Sequence, residues 1–169
     1  MLFACLMSEE FALGALPDGV FLCGLGKREL LMSSHEVIQA EGQTVVAIRR
    51  SDACLLIADD NDAFREAVVE IVEPFFRTIA VPSGEQAIQV VETTPVHLAL
   101  FDLNMQVLSG LDAIRWLRER QLELPCILMS ANVTDEIELQ AQKLDTISVL
   151  RKPVRREILL DVIHLALEL

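Results

Sequence analysis

Asp59-Asp60, Asp102 and Lys152 each stand just beyond an apolar run: Leu55 to Ala58, Val96 to Phe101, and Ile147 to Leu150. Continuous Val/Ile/Leu runs mark parallel strands buried on both faces, and the ligand sites of open α/β sheets lie outside the carboxyl ends of such strands. A parallel sheet would therefore collect these carboxylates and one ammonium in a small space. Carboxylates that close raise one another's pKa unless a cation neutralises them. A hard divalent ion such as Mg2+ takes one or two carboxylates together with phosphate oxygens. The chemistry implied is the handling of a phosphoryl group on magnesium.

The elements that must position these residues are legible from residue 53 onward, where strand and helix patterns alternate. Asp62 can cap a helix whose apolar positions, at helical spacing, are Phe64, Ala67, Val68, Ile71, Val72 and Phe75, closed by Pro74. A strand from Arg77 to Val81 follows, and Ser83 with Gln86 forms a capping box for a helix through Val91. Thr93-Thr94-Pro95 breaks the chain before the strand that ends at Phe101. Ser109-Gly110 opens a helix from Leu111 to Arg120. The strand Cys126 to Met129 leads into the loop Ser130-Ala131-Asn132, and Asp135 to Lys143 is a weaker helix. Thr146 to Leu150 is the last strand. Pro153 is then expected in the first turn of a final helix with Ile158, Leu159, Val162, Ile163, Ala166 and Leu167 inward.

Alternation of this length means a parallel sheet covered on both faces, and right-handed crossovers leave few topologies. We expect an α/β flavodoxin-like three-layer fold with five strands in the order 2-1-3-4-5. Its switch point lies between the first and third strands, and Asp60 and Asp102 would flank that crevice.

Bulk properties narrow the function. The chain of 169 residues carries a net charge of −12, of which residues 1–50 hold −2 and residues 51–169 hold −10. That balance argues against a direct electrostatic grip on nucleic acid or anionic lipid. Cys5, Cys23, Cys54 and Cys126 show no metal-ligand or C-x-x-C spacing, so Cys54 and Cys126 read as small core residues in a reducing compartment. No apolar stretch approaches the ~20 residues of a membrane span, and Met1 to Met7 is a poor signal peptide. A cytoplasmic protein is expected. Residues 1–50 hold five of the seven glycines and an irregular apolar pattern. They read as a weakly ordered extension or small add-on, with Thr44 to Ile48 as a strand and Arg28 to Gln39 as a helix.

The stretches LLIADDNDAF, HLALFDLNMQVLSG, ILMSAN and VLRKPV, in that order and spacing, resemble the receiver domain of two-component response regulators over residues 53–168, within a domain expected to span residues 51–169. The resemblance implies that Asp102 is the phospho-acceptor, served by a histidine kinase or phosphotransfer protein. It implies Mg2+ bound directly by Asp60 and Asp102, by Asp59 through a water, and by the backbone carbonyl of Asn104. Lys152 would pair with the phosphoryl oxygens, Ser130 would hydrogen-bond to them, and Ala131 would leave room for them. The chemistry agrees, since phosphoryl transfer to a carboxylate is mostly positioning and charge neutralisation. Each residue also has a plainer use: Asp59-Asp60 and Asp102 as caps, Ser130 as a loop hydroxyl, Lys152 as a solvated side chain.

Two positions depart from the family pattern. Val149 stands where a Tyr or Phe switch residue is usual, and a stiff β-branched side chain has no ring to swing. Gln106 replaces a proline, which should loosen the loop after the acceptor. No output domain pattern follows, so a stand-alone, non-enzymatic signalling module is expected, acting by contact with a downstream protein. The apolar residues Leu160, Leu165 and Leu169 suggest a contact surface near the last helix, with a homodimer as one use of it. A receiver-like interaction domain that no longer cycles is the alternative. A phosphohydrolase with Asp102 as nucleophile is more remote, because Asn104 stands where its second acid should be.

Overall fold

A computed structural model describes residues 20–23, 36–40, 43–49 and 52–167. The chain divides into two units between Ile48 and Arg49. In the first, strands β1 (Val20–Cys23), β2 (Glu36–Ala40) and β3 (Gln43–Arg49) form a sheet in the order β1-β3-β2. Thr44 to Ile48 is thus a strand as expected. The helix expected over Arg28 to Gln39 is not: Glu36–Ala40 pairs antiparallel with β3, setting Val37 opposite Val46 and Ile38 opposite Val45. β-Branched residues favour such a pleated pairing over a helix, where their χ1 is restricted. Residues 28–35 lie outside the described residues.

The second unit is a parallel sheet of β4 (Cys54–Ala58), β5 (Arg77–Val81), β6 (Leu98–Asp102), β7 (Cys126–Ser130) and β8 (Ser148–Arg151), in the order β5-β4-β6-β7-β8. This is the expected 2-1-3-4-5 topology. Every residue of β4, β6 and β7 is buried, whereas the edge strands β5 and β8 are partly exposed. Continuous apolar runs in the middle and mixed ones at the edges are what a sheet covered on both faces requires. Alternate residues Leu56, Ala58, Ala99, Phe101, Cys126 and Leu128 join one core cluster with Ala87, Ile114, Leu117 and Ala141. Burial pushes the Cys126 thiol up to about 11 and raises that of Cys54, as befits inert core cysteines.

The helices are α1 (Asp62–Val72), α2 (Gly84–Thr93), α3 (Gly110–Glu119), α4 (Asp135–Lys143) and α5 (Arg156–Ala166). Ser83, Ser109 and Thr134 cap α2, α3 and α4 through their hydroxyl oxygens. Three expectations are corrected. Asn61, not Asp62, caps α1, because Asn61 holds the extended backbone and its side chain accepts from the Phe64 N–H. Phe76 is buried in place of Phe75, which is 41% exposed, because the helix stops at Val72 and the chain turns before β5. Pro153 is not in the first turn of α5. Sheet bonding runs on to Lys152, whose N–H donates to the Ser130 carbonyl (2.8 Å), so α5 starts only at Arg156 and leaves Ile158 exposed. Leu159, Ile163 and Ala166 face the core, Leu160 is half-buried, Leu165 is exposed, and Leu169 lies outside the described residues.

Candidate functional site at the carboxyl ends of the strands

In the sheet register Ala58 sits opposite Phe101, Asp102 opposite Met129, and Ser130 opposite Arg151. The carboxyl ends of β4, β6, β7 and β8 therefore finish level with one another. Asp59 follows β4, its N–H donating to the Val81 carbonyl (3.2 Å), and its side chain is buried. Asp102 closes β6 and is 4% exposed, whereas Asp60 faces solvent. Ligand oxygens of Asp59, Asp60 and Asp102 all lie within 4.8 Å of one another.

Lys152 ties the two buried carboxylates together. Its Nζ lies 2.5 Å from Asp59 Oδ2 and 2.8 Å from Asp102 Oδ1. The remaining oxygens are held by backbone: the Asn61 N–H donates to Asp59 Oδ1 (3.0 Å) and the Asn104 N–H to Asp102 Oδ2 (3.1 Å). Burial raises the pKa of Asp59, and the hydrogen bonds from Lys152 and Asn61 pull it partway back. A buried carboxylate pair with only one cation between them, open to a third carboxylate at the surface, is a donor set suited to a hard divalent ion. All three ligands are oxygens, which excludes a thiophilic site.

Ser130 is buried, and its hydroxyl is turned into its own loop. Its Oγ donates to the Asn132 carbonyl (2.9 Å) and accepts from the Asn132 N–H (3.2 Å). It bonds to neither aspartate, and its one O–H is spent on the Asn132 carbonyl. Ala131 and Asn104 are exposed at the same rim. Val149 pairs with Leu128 in the β7–β8 ladder and packs half-buried against the core. The loop after Asp102 turns sharply at Gln106. The Leu108 N–H closes a tight turn on the Gln106 carbonyl (2.8 Å), with Val107 at φ 66° and 95% exposed. Gly110 starts α3 directly under Asp102: a Cβ there would lie 2.4 Å from the Asp102 carbonyl oxygen.

Sequence reasoning missed two neighbours. The Phe64 ring centroid lies 4.1 Å from Lys152 Nζ. Arg65, mostly buried, donates from Nη1 to the Asp59 carbonyl (2.7 Å) and from Nη2 to Asp62 (2.5 Å), fixing the turn that carries the acidic pair. The Asn61-x-x-Phe64 spacing was the available signal, since an Asn cap fixes the backbone of the residue three positions on.

A family model described as the response regulator receiver domain matches residues 55–164. The nitrate/nitrite response regulator protein NarL of Escherichia coli K12 is 31% identical over 117 residues, spanning 68% of this chain and 54% of that protein. The transcriptional regulatory protein DegU of Brevibacillus brevis is 28% identical over 112 residues, spanning 64% of this chain and 48% of that protein. The chain thus spans about half the length of these two curated relatives. Among solved structures, the Vibrio cholerae chemotaxis protein CheY4 superposes with a TM-score of 0.64 at 19% identity, covering 68% of this chain and 98% of its own. DrrB of Thermotoga maritima superposes with a TM-score of 0.63 at 23% identity, covering 69% of this chain and 52% of its own.

Proposed function

Because the chain belongs to the response regulator receiver domain family, we propose that it is a cytoplasmic phosphorelay module whose Asp102 accepts a phosphoryl group from a histidine kinase or phosphotransfer protein. The observation that carries this reading is the convergence of Asp59, Asp60, Asp102 and Lys152 at the carboxyl ends of the strands. A carboxylate oxygen of Asp102 attacks phosphorus, the P–N bond to the donor imidazole breaks, and the imidazole leaves with that electron pair. Mg2+ would be held by Asp60, Asp102 and the Asn104 carbonyl, with Asp59 acting through a water. When bound, it neutralises charge on the phosphoryl oxygens.

The protein's own residues do the rest. Lys152 exchanges carboxylate oxygens for phosphoryl oxygens. Ser130 releases Asn132 and donates to the same group, beside the small Ala131. Output passes by contact with a downstream protein, and the face near α5, where Leu165 is 71% exposed, is available for it or for a second copy of the chain. With Val149 in place of a ring, the conformational response is carried by the Ser130 loop into α4.

Intact mass after incubation with phosphoramidate tests this reading. The wild type should gain one phosphoryl group with MgCl2 and not with EDTA, and Asp102→Asn should gain none. A wild type that never gains mass would instead support the non-cycling interaction domain.

A further inference from the structure

The Lys152 ammonium meets two carboxylates and, beside them, an aromatic face. It touches Asp59 at 2.5 Å and Asp102 at 2.8 Å, and the Phe64 ring centroid lies 4.1 Å away. The side chain is 15% exposed, so this cation is largely out of water. A ring face attracts such a cation through its quadrupole, most strongly when both are desolvated.

The position of the ring is set by a closed circuit of contacts. The Asn61 N–H donates to Asp59 Oδ1 (3.0 Å). The Asn61 side chain accepts from the Phe64 N–H (3.0 Å) and so fixes the first turn of α1. The Phe64 ring meets Lys152 Nζ, and Lys152 returns to Asp59 Oδ2. Each member of the loop Asp59, Asn61, Phe64, Lys152 is thereby held by two others. Helix capping and the acidic turn together aim one ring at one ammonium.

We propose that Phe64 is a positioning residue for phosphoryl transfer, an aromatic seat that keeps Lys152 at the acceptor while it changes partners. The inference rests on the phosphorelay reading given above. Carboxylate contacts pin Lys152 where it stands before transfer, but the phosphoryl oxygens it must reach lie elsewhere around Asp102. Hydrogen bonds are directional and are lost when the ammonium moves, whereas a ring face holds a cation with little directional demand. Without the ring, the long lysine stem spreads over its rotamers whenever a carboxylate releases it.

Phe64→Leu keeps apolar bulk and removes the quadrupole, and Phe64→Tyr keeps the quadrupole. Two readouts on the full chain test the seat. The first needs no phosphoryl group. The lysines are Lys27, Lys143 and Lys152, so the Lys152 ε-methylene signal is readily assigned. It should be ring-shifted upfield in the wild type and in Phe64→Tyr, and relaxed in Phe64→Leu. The second is the rate of labelling by phosphoramidate at saturating Mg2+. Phe64→Leu should be slower by about fivefold, the change that a cation–π contact of ~1 kcal/mol converts to. Its Mg2+ affinity should stay near wild type, its melting temperature should fall by no more than about 4 °C, and Phe64→Tyr should restore both the rate and the melting temperature. A Phe64→Leu variant labelled at the wild-type rate overturns the seat, as does a methylene signal at the same position in Phe64→Leu and the wild type, or a Phe64→Tyr variant as slow as Phe64→Leu. If the wild type is never labelled, the phosphorelay reading fails, and the methylene shift still decides whether the seat exists.

Discussion

Gly110→Ala pits two effects of opposite sign against each other beside Asp102. Gly110 is the first residue of α3, and alanine is the better helix former by about 1 kcal/mol. Taken alone, that would stabilise the protein. The added Cβ, however, would sit 2.4 Å from the Asp102 carbonyl oxygen, 3.0 Å from its carbonyl carbon and 2.9 Å from Leu128 Cδ1. Leu128 can yield by rotation, but the Asp102 peptide cannot. Ordinary contact begins at 3.4 Å, so either α3 or the acceptor peptide must shift by about 1 Å. Overpacking of a tight core costs ~1–3 kcal/mol even where side chains share the strain, and here backbone meets backbone. Sterics should outweigh propensity, for a net loss of about 2 kcal/mol and a melting temperature lower by roughly 8 °C. A 1 Å misplacement of a reacting group can cost about 100-fold in rate, so labelling of Asp102 by phosphoramidate should slow by ~10- to 100-fold. Calorimetry and time-resolved intact mass measure the two. A variant at least as stable as the wild type and labelled at the same rate would refute the packing of α3 against the acceptor.

Mg2+ should raise stability by linkage, by about 1.4 kcal/mol at ten times its dissociation constant, read as a rise in melting temperature that EDTA reverses; no response to millimolar Mg2+ would count against the metal site. Burial raises Asp59 above its unfolded pKa, so the metal-free folded state takes up that proton before the unfolded state does. The contribution of Asp59 to stability therefore grows as pH falls from neutral through its raised value toward the ordinary carboxylate range. In EDTA, the wild type should gain relative to Asp59→Asn over that window, and a widening deficit would reverse the assignment. Val149→Tyr should enlarge the hydrogen-exchange change that phosphorylation produces in α4, with coupling inside the ~1–3 kcal/mol typical of allostery. A large change in the wild type that vanishes in the tyrosine variant would place the readout elsewhere.

The sheet and the acidic site were legible because both are written in unbroken runs. Leu55 to Ala58, Leu98 to Phe101 and Cys126 to Met129 are buried throughout, so strand type, order and the level of the carboxyl ends followed from apolar continuity and crossover handedness. Details decided by competition between neighbours were not legible. Asn61 and Asp62 are both good caps, and the winner is the one whose N–H the Asp59 carboxylate accepts. Phe75 and Phe76 fit a helical period equally until the turn before β5 buries the second. Pro153 suits a helix start, but the ladder bond from Lys152 to Ser130 delays α5. The N-terminal helix expectation failed because Val37 and Ile38 find partners across a strand pair that local periodicity does not show. Ser130 was singled out by position, but its engagement with Asn132 depends on the loop geometry. The Phe64–Lys152 contact joins residues far apart in sequence and leaves no periodic trace.

The identity of the acceptor is tested most directly by reductive trapping. An aspartyl phosphate is an acyl phosphate, and borohydride reduces it to homoserine while leaving free carboxylates intact. The wild-type chain, treated with phosphoramidate and MgCl2, then with borohydride, and digested, should carry homoserine at position 102 and at no other aspartate. Homoserine at Asp59 or Asp60, or a phosphorylated chain with none at 102, would contradict the account.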